Sequence, residues 1–277
     1  MKKFVKVLLV SLLLLQFTGC SKKEPEQSFA EYAKEFVAEY YDETDFGINF
    51  DFEHPEDYGI TRGLYEFSGY TEEDFNSYMT YLKDEISYLK SYNYKNLTAD
   101  EQWTHDMLLD YLQREYEMKN YFYYEAKGLG SINGINSNLP LLMDEFTFND
   151  KQDVDSYINL LKTTKNMFSS YLELELLRQE KGYGLPQYTI DSIIEQCDTI
   201  LNTTDYFLES SFNERIDAVD FLSAEEKSEY KELNKTHLYT DYYEAYRLLK
   251  EGLETVDATK YNEVTLADMK DGKAYYE

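Results

Sequence analysis

The stretch that decides the fold is "VDSYINLLKTTKNMFSSYLELELLRQEKGYG", residues 154–184. Val154, Tyr157, Ile158, Leu161, Phe168, Tyr171 and Leu172 recur at steps of one, three, four and seven, which puts them on one face of an α-helix. No glycine or proline interrupts the run before Gly182 and Gly184. A helix from about Val154 to just before Gly182 is therefore expected. A stripe of that length must be covered by other helices of the same kind.

Such helices lie on both sides of it. Ser28 can cap a helix with the stripe Phe29, Tyr32, Ala33, Phe36, Val37 and Tyr40. Thr71 opens "TEEDF", followed by Phe75, Tyr78, Met79, Leu82, Ile86 and Leu89. "TADE" at 98–101 and "SAEE" at 223–226 have the form of capping boxes, in which a hydroxyl and a carboxylate satisfy the first free backbone N–H groups of a helix. The first of these boxes opens a long helix through Trp103, Met107, Leu108, Tyr111, Leu112 and Tyr116. Thr189 is expected to cap a shorter helix carrying Ile190, Ile193, Ile194, Cys197 and Leu201, and a last helix carries Leu238, Tyr242, Ala245, Leu249, Leu253 and Val256. Only "LPLLMDEFTF" at 139–148 suggests extended structure. With no sustained period-two run and no fixed-period repeat, the fold class is all-α. Long antiparallel helices are expected around one elongated core, in a single domain over residues 28–277.

The N-terminus carries an address. "MKKFVKVLLVSLLLLQFTGC" has Lys2, Lys3 and Lys6, an apolar run from Val7 to Leu15, and small residues before Cys20. That is the layout of a secretory signal over residues 1–19, too short in its apolar part for a spanning helix, which needs about 20 residues. "FTGC" is similar to a bacterial lipobox, where the signal is cut before a cysteine that is then lipidated. Phe17 stands where Leu or Val is usual, and the plainer alternative is secretion with a free Cys20. Residues 20–27 suit a polar tether, so membrane association through a lipid on Cys20 is expected, at the outer face of the bacterial envelope.

The formal charge is −27, and loss of the three signal lysines makes the remaining chain more acidic still. Such a surface repels nucleic acid, which is excluded as a partner. The chain is nonetheless 43% hydrophobic and 17% aromatic, which is enough apolar material to build a core and exclude disorder. Cys197 is the only cysteine besides Cys20, so no internal disulfide is available and Cys197 is read as a small core residue.

Signatures of chemistry are sparse. The three histidines, His54, His105 and His237, fall in no HExxH pattern. His54 reads as a turn residue, His237 as a helix-packing residue, and His105 and Asp106 are expected to point about 100° apart on their helix and share no site. The 54 carboxylates guarantee close pairs, so pairing alone carries no information. "GLGSINGINSNLP" at 128–140 lacks the lysine of a phosphate loop and reads as a helix–helix connection beside a cleft. The 29 tyrosines fall mostly on helical stripes, where packing explains them.

"HPEDYGI" at 54–60, Gly134 with "LPLLMDEF" up to 146, the Gly182–Gly184–Pro186 turn with "IIEQC" at 193–197, "LSAEEKSEYKEL" at 222–233 and "DGKAYYE" at 271–277 occur in this order. Together, from about Ser28 to Glu277, they resemble the N-terminal half of a bacterial family of unknown function, domain of unknown function 885. Its members are often lipoproteins and resemble helical zinc metallopeptidases. The resemblance implies that the GKxYYx segment lies mid-chain and that a zinc signature of HExxPGH type follows it in a C-terminal half. No residue here matches those ligands, so no catalytic or metal-binding residue is carried over and no cofactor is assigned to this chain; zinc is expected for a full-length relative. What this half would supply is the wall of a substrate cleft, with His54, Tyr58, Asn133 and Asn136 as the candidate lining residues.

Two readings follow. In one, residues 28–277 are an incomplete half of a peptidase-like hydrolase, inactive alone, whose C-terminal half is encoded separately or lost. It predicts an exposed apolar face on the last helices. In the other, the chain is a complete, non-enzymatic helical lipoprotein that binds a peptide, glycan or protein partner.

Overall fold

The computed structural model of the chain describes residues 25–125 and 128–277; the signal, Cys20 and most of the tether fall outside them. Every regular element among the described residues is helical. Where the sequence suggests one domain, these residues group into two compact units, 25–33 with 80–116 and 34–79 with 117–277.

The smaller unit is built from the start of α1 (Phe29–Tyr40), the C-terminal half of α3 (Glu72–Leu89) and α4 (Ala99–Glu117); the short α2 (Gly47–Asp51) belongs to the larger unit. Ser28 and Glu31 cap α1 reciprocally, with Glu31 N donating to Ser28 Oγ at 3.3 Å and Ser28 N donating to Glu31 Oε2 at 3.0 Å. Thr98 and Glu101 do the same for α4. Each such cap contributes roughly 1 kcal/mol against alanine. Phe29 packs edge-on against Tyr92 at 5.4 Å and tilted against His105 at 6.0 Å. The stripe expected to bury α4 is only partly the buried one. Leu112 and His105 face inward, whereas Trp103, Met107 and Tyr111 are exposed. At 100° per residue, Trp103 lies about 180° from Leu112, so the helix carries two apolar faces and the core takes the one that holds Leu112.

The larger unit holds α5 (Phe122–Glu125), α6 (Ile135–Glu145), α7 (Lys151–Lys181), α8 (Gln187–Leu201), α9 (Phe207–Ala218), α10 (Ala224–His237), α11 (Tyr243–Leu253) and α12 (Gly272–Tyr276). Its axis is the decisive stretch, α7, with 31 residues. Asp150 caps it by accepting from Asp153 N, and Gly182, at φ 94°, ends it in the left-handed conformation that glycine adopts without a Cβ penalty. Val154, Tyr157, Ile158, Leu161 and Phe168 are all buried. α11 and α8 pack against each other, and α11 also packs on α7. Full burial of each such large apolar side chain contributes roughly 1.5–3 kcal/mol.

Three local expectations change. "SAEE" does open a helix, with both halves of the box formed at Ser223 and Glu226. That helix does not stop, however: a π-helical segment, Leu238–Tyr242, joins α10 directly to α11. The stripe from Leu238 to Leu253 is buried as expected, but Val256 lies beyond the helix end. Thr189 is not a cap; Pro186 holds the N-cap position and Thr189 sits in the first turn of α8, its N–H donating to Pro186 O at 3.0 Å. Of "LPLLMDEFTF", residues 139–145 are helical, not extended, with Pro140 inside α6, and residues 146–148 lie beyond the helix end.

At the C-terminus, Tyr275 stacks on Tyr124 at 4.7 Å and lies 5.5 Å from Tyr121, while Tyr276 is 82% exposed. Tyr276 is the one large exposed apolar or aromatic side chain after Phe221 among the described residues. The broad apolar face expected on the last helices of an incomplete core is therefore absent from these residues; Leu249 and Leu253 are fully buried.

Candidate functional site

The larger unit contains a pocket of about 220 Å³ between residues 48–65 and the N-terminus of α7. Its floor is set by the α7 cap. Asp150 Oδ1 accepts from Asp153 N at 3.0 Å, and Asp153 Oδ2 accepts from Asn149 N at 2.9 Å. Arg62 closes the arrangement, its Nη2 donating to Asp150 Oδ2 at 2.5 Å and its Nη1 to Asp153 Oδ1 at 3.0 Å. The loop is pinned from the other side by Gln152, whose Nε2 donates to Arg62 O and Gly63 O at 2.8 Å each. Asn49 exchanges hydrogen bonds with the Thr147 backbone at 2.9 and 3.1 Å and fixes α2 beside the pocket. Ile48, Phe52, Pro55 and Tyr65 supply apolar wall, and Glu53, His54 and Glu56 complete the lining.

The electrostatics follow from burial against pairing. Burial pushes the Asp153 carboxyl up, more than the Asn149 N–H and the Arg62 guanidinium pull it down. Burial acts the same way on Asp150, but there Arg62 and the backbone N–H groups win and hold it below the usual carboxylate range. Tyr65 is pushed up to about 12 by burial and then by the charge of Asp153, with Arg62 opposing. Its hydroxyl is buried beside Arg62 without a partner at hydrogen-bond geometry.

The candidate lining residues are divided. His54 lines this pocket at its exposed edge, with Nδ1 3.5 Å from Glu56 Oε1. Tyr58 is half exposed and rests on Phe52 at 5.1 Å without lining the pocket. Asn133 is exposed. Asn136 is buried and structural, its Oδ1 accepting from Gly130 N at 3.0 Å and its Nδ2 donating to Gln196 Oε1 at 3.1 Å. It clamps the glycine-rich loop, where a Cβ on Gly134 would stand 2.1 Å from Gly130 N. Arg62, Tyr65, Asp150 and Asp153 were not legible as a site, although Asp150 and Asp153 carry a readable signal, an acidic cap three residues ahead of a second carboxylate.

The other singled-out residues form no second centre. Contrary to expectation, His105 and Asp106 do meet, Nδ1 to Oδ1 at 3.3 Å; His105 Nε2 lies 3.2 Å from Leu89 O. His237 ends α10, half-buried, with Nδ1 2.8 Å from Asp241 Oδ2. Cys197 is fully buried and its thiol is pushed up to about 12, by burial and then by Asp198. Among the described residues, no three His, Cys, Asp or Glu side chains gather as a metal site, and no helix is long and apolar enough to cross a membrane.

The sequence model of a bacterial protein family of unknown function, DUF885, matches residues 57–277. No curated protein matches the chain. The crystal structure of "the putative lipoprotein from Colwellia psychrerythraea" superposes with a TM-score of 0.67 at 14% sequence identity, over 90% of this chain and 45% of that one. At that identity the likeness shows a shared fold, and the chain spans less than half the length of its structural neighbour.

Proposed function

The chain belongs to DUF885, a bacterial family of unknown function, and from that premise we propose that it is the N-terminal, cleft-wall half of a lipid-anchored, peptidase-like hydrolase that uses zinc. The observation that carries this reading is the coverage: nine-tenths of this chain matches 45% of a much longer helical protein described as a lipoprotein. The lipobox-like "FTGC" and the polar residues behind it support anchoring through Cys20 at the outer face of the envelope. The described residues do not suit zinc, which takes three or four His, Cys or carboxylate ligands at one point, so no catalytic step is derived through a metal here. In this reading the ligands and the base belong to the other half. Purified residues 20–277 are then expected to hold no stoichiometric zinc and to leave peptides intact; stoichiometric zinc with peptide cleavage by that chain alone would overturn the proposal.

A second reading, a non-enzymatic binding lipoprotein, is favoured by one observation: the C-terminal helix is seated, with Tyr275 stacked on Tyr124, and the helices before it expose no broad apolar face. Its ligand would be a peptide, a glycan or a protein partner, and it predicts binding by the 277-residue chain with no need of a further segment.

A further inference from the structure

We propose that the pocket under Arg62 binds a primary ammonium group, with the amino terminus of a peptide as the ligand. Tyr65 is 1% exposed, lines the pocket, and keeps a buried hydroxyl without a hydrogen-bond partner. Buried hydroxyls are normally satisfied, so an orphan in a cavity wall marks a place where a ligand atom completes the set. The charges say which kind. Four carboxylates, Glu53, Glu56, Asp150 and Asp153, line the pocket with Arg62 and His54. Arg62 is already spent, one nitrogen on Asp150 and another on Asp153, so it is not available as an anion clamp. An incoming carboxylate or phosphate would meet the surplus of negative charge.

A cation is drawn in. A divalent metal asks for about six or more oxygen ligands converging on one point, and no such cluster is present among the described residues. An ammonium asks for less. It has three N–H donors and favours aromatic faces. The Tyr65 hydroxyl oxygen can accept one N–H and the half-exposed Asp150 carboxylate another, with the Phe52 and Tyr65 rings as walls. A volume of about 220 Å³ takes a head group and its first substituent rather than a whole oligomer. This proposal rests on the pocket alone, independently of the peptidase reading, and it is tested on this chain without zinc or a second half.

The experiment is calorimetric titration of residues 20–277 with trialanine amide, its N-acetylated form, and N-acetyl-lysine amide. Trialanine amide should bind, and acetylation, which removes the charge, should weaken it by about tenfold or more. Tyr65→Phe, which deletes only the orphan hydroxyl, should weaken binding by about fivefold or more while leaving the unfolding temperature unchanged or higher. Glu53→Gln, at an exposed position that the fold does not depend on, should weaken it too and serves if Tyr65→Phe folds poorly. Preferential binding of N-acetyl-lysine amide would overturn the peptide amino terminus as the source of the ammonium. Equal binding of the acetylated peptide, no amine binding at millimolar concentration, or unchanged affinity in both variants would overturn the site itself.

Discussion

Tyr246 donates its hydroxyl to the backbone carbonyl of Asn136 at 2.8 Å, across 110 residues of sequence. That carbonyl is the one Pro140 leaves without its helical donor, since a proline four residues on has no N–H to give. The side chain of α11 thus fills the gap that the proline opens in α6. Tyr246→Phe is expected to destabilise the protein by about 1–3 kcal/mol through the buried, unsatisfied carbonyl. In a Pro140→Ala background, where residue 140 regains its N–H, the same change should cost clearly less. Urea unfolding of the four proteins of this cycle measures the difference; equal costs in both backgrounds would show that the hydroxyl does not act through the donor missing at Pro140 but through its other contact, with the Tyr242 hydroxyl at 3.3 Å.

Glu175 and Arg178 form a pair that is almost wholly buried, with Arg178 Nη1 donating to Glu175 Oε2 at 2.6 Å. Glu175 Oε1 also accepts from Leu185 N at 2.7 Å and Gln179 Nε2 at 2.9 Å, which ties the turn after α7 to its last residues. Burial pushes the Glu175 carboxyl up and the Arg178 guanidinium down. Arg178→Ala, which strands the carboxylate, should cost about 3–5 kcal/mol. Glu175→Gln keeps an acceptor for Leu185 N but leaves the buried Arg178 guanidinium without its carboxylate, so it too should destabilise. Chemical denaturation measures both, and an Arg178→Ala variant as stable as the parent would contradict the pairing.

Alkali should unfold the protein steeply. Burial pushes Tyr206 up to about 12, and pushes Tyr157, Tyr242 and Tyr246 higher still. In the unfolded chain these phenols ionise near 10. A raised folded value means stability that is complete below about pH 10 and is lost as pH rises through the folded values, because only the unfolded state releases the proton. Tyrosinate absorbance and helical circular dichroism, followed together upward from pH 9, should change together for the buried set. Full ionisation with the helix signal intact would contradict the burial.

Anchoring makes a separate claim on Cys20. Mass spectrometry of the mature N-terminal peptide should show a lipid on that cysteine, and Cys20→Ser should release the protein from the membrane fraction. An unmodified cysteine on a secreted protein would restore the plainer reading of the leader.

Local signals were the legible part of this chain. The hydroxyl–carboxylate pairs at Ser28, Thr98 and Ser223 act within four residues, and each opens the helix that its spacing suggests. Features decided at long range were not legible. Pro140 argues for a break, and the helix tolerates it because a tyrosine far along the chain supplies the missing donor. α4 has two apolar faces, and periodicity cannot say which one the core takes. The pocket was hidden for a related reason: Arg62 meets its carboxylates 88 and 91 residues away, and among 54 acidic residues no two announce themselves.

Whether this chain is, as proposed, one half of a larger zinc hydrolase is decided by reading the coding sequence beyond the codon for Glu277 in all registers. An open frame that continues the family match and encodes an HExxH-type helix is the expected result. A stop followed by unrelated sequence would contradict it and leave the binding reading in its place.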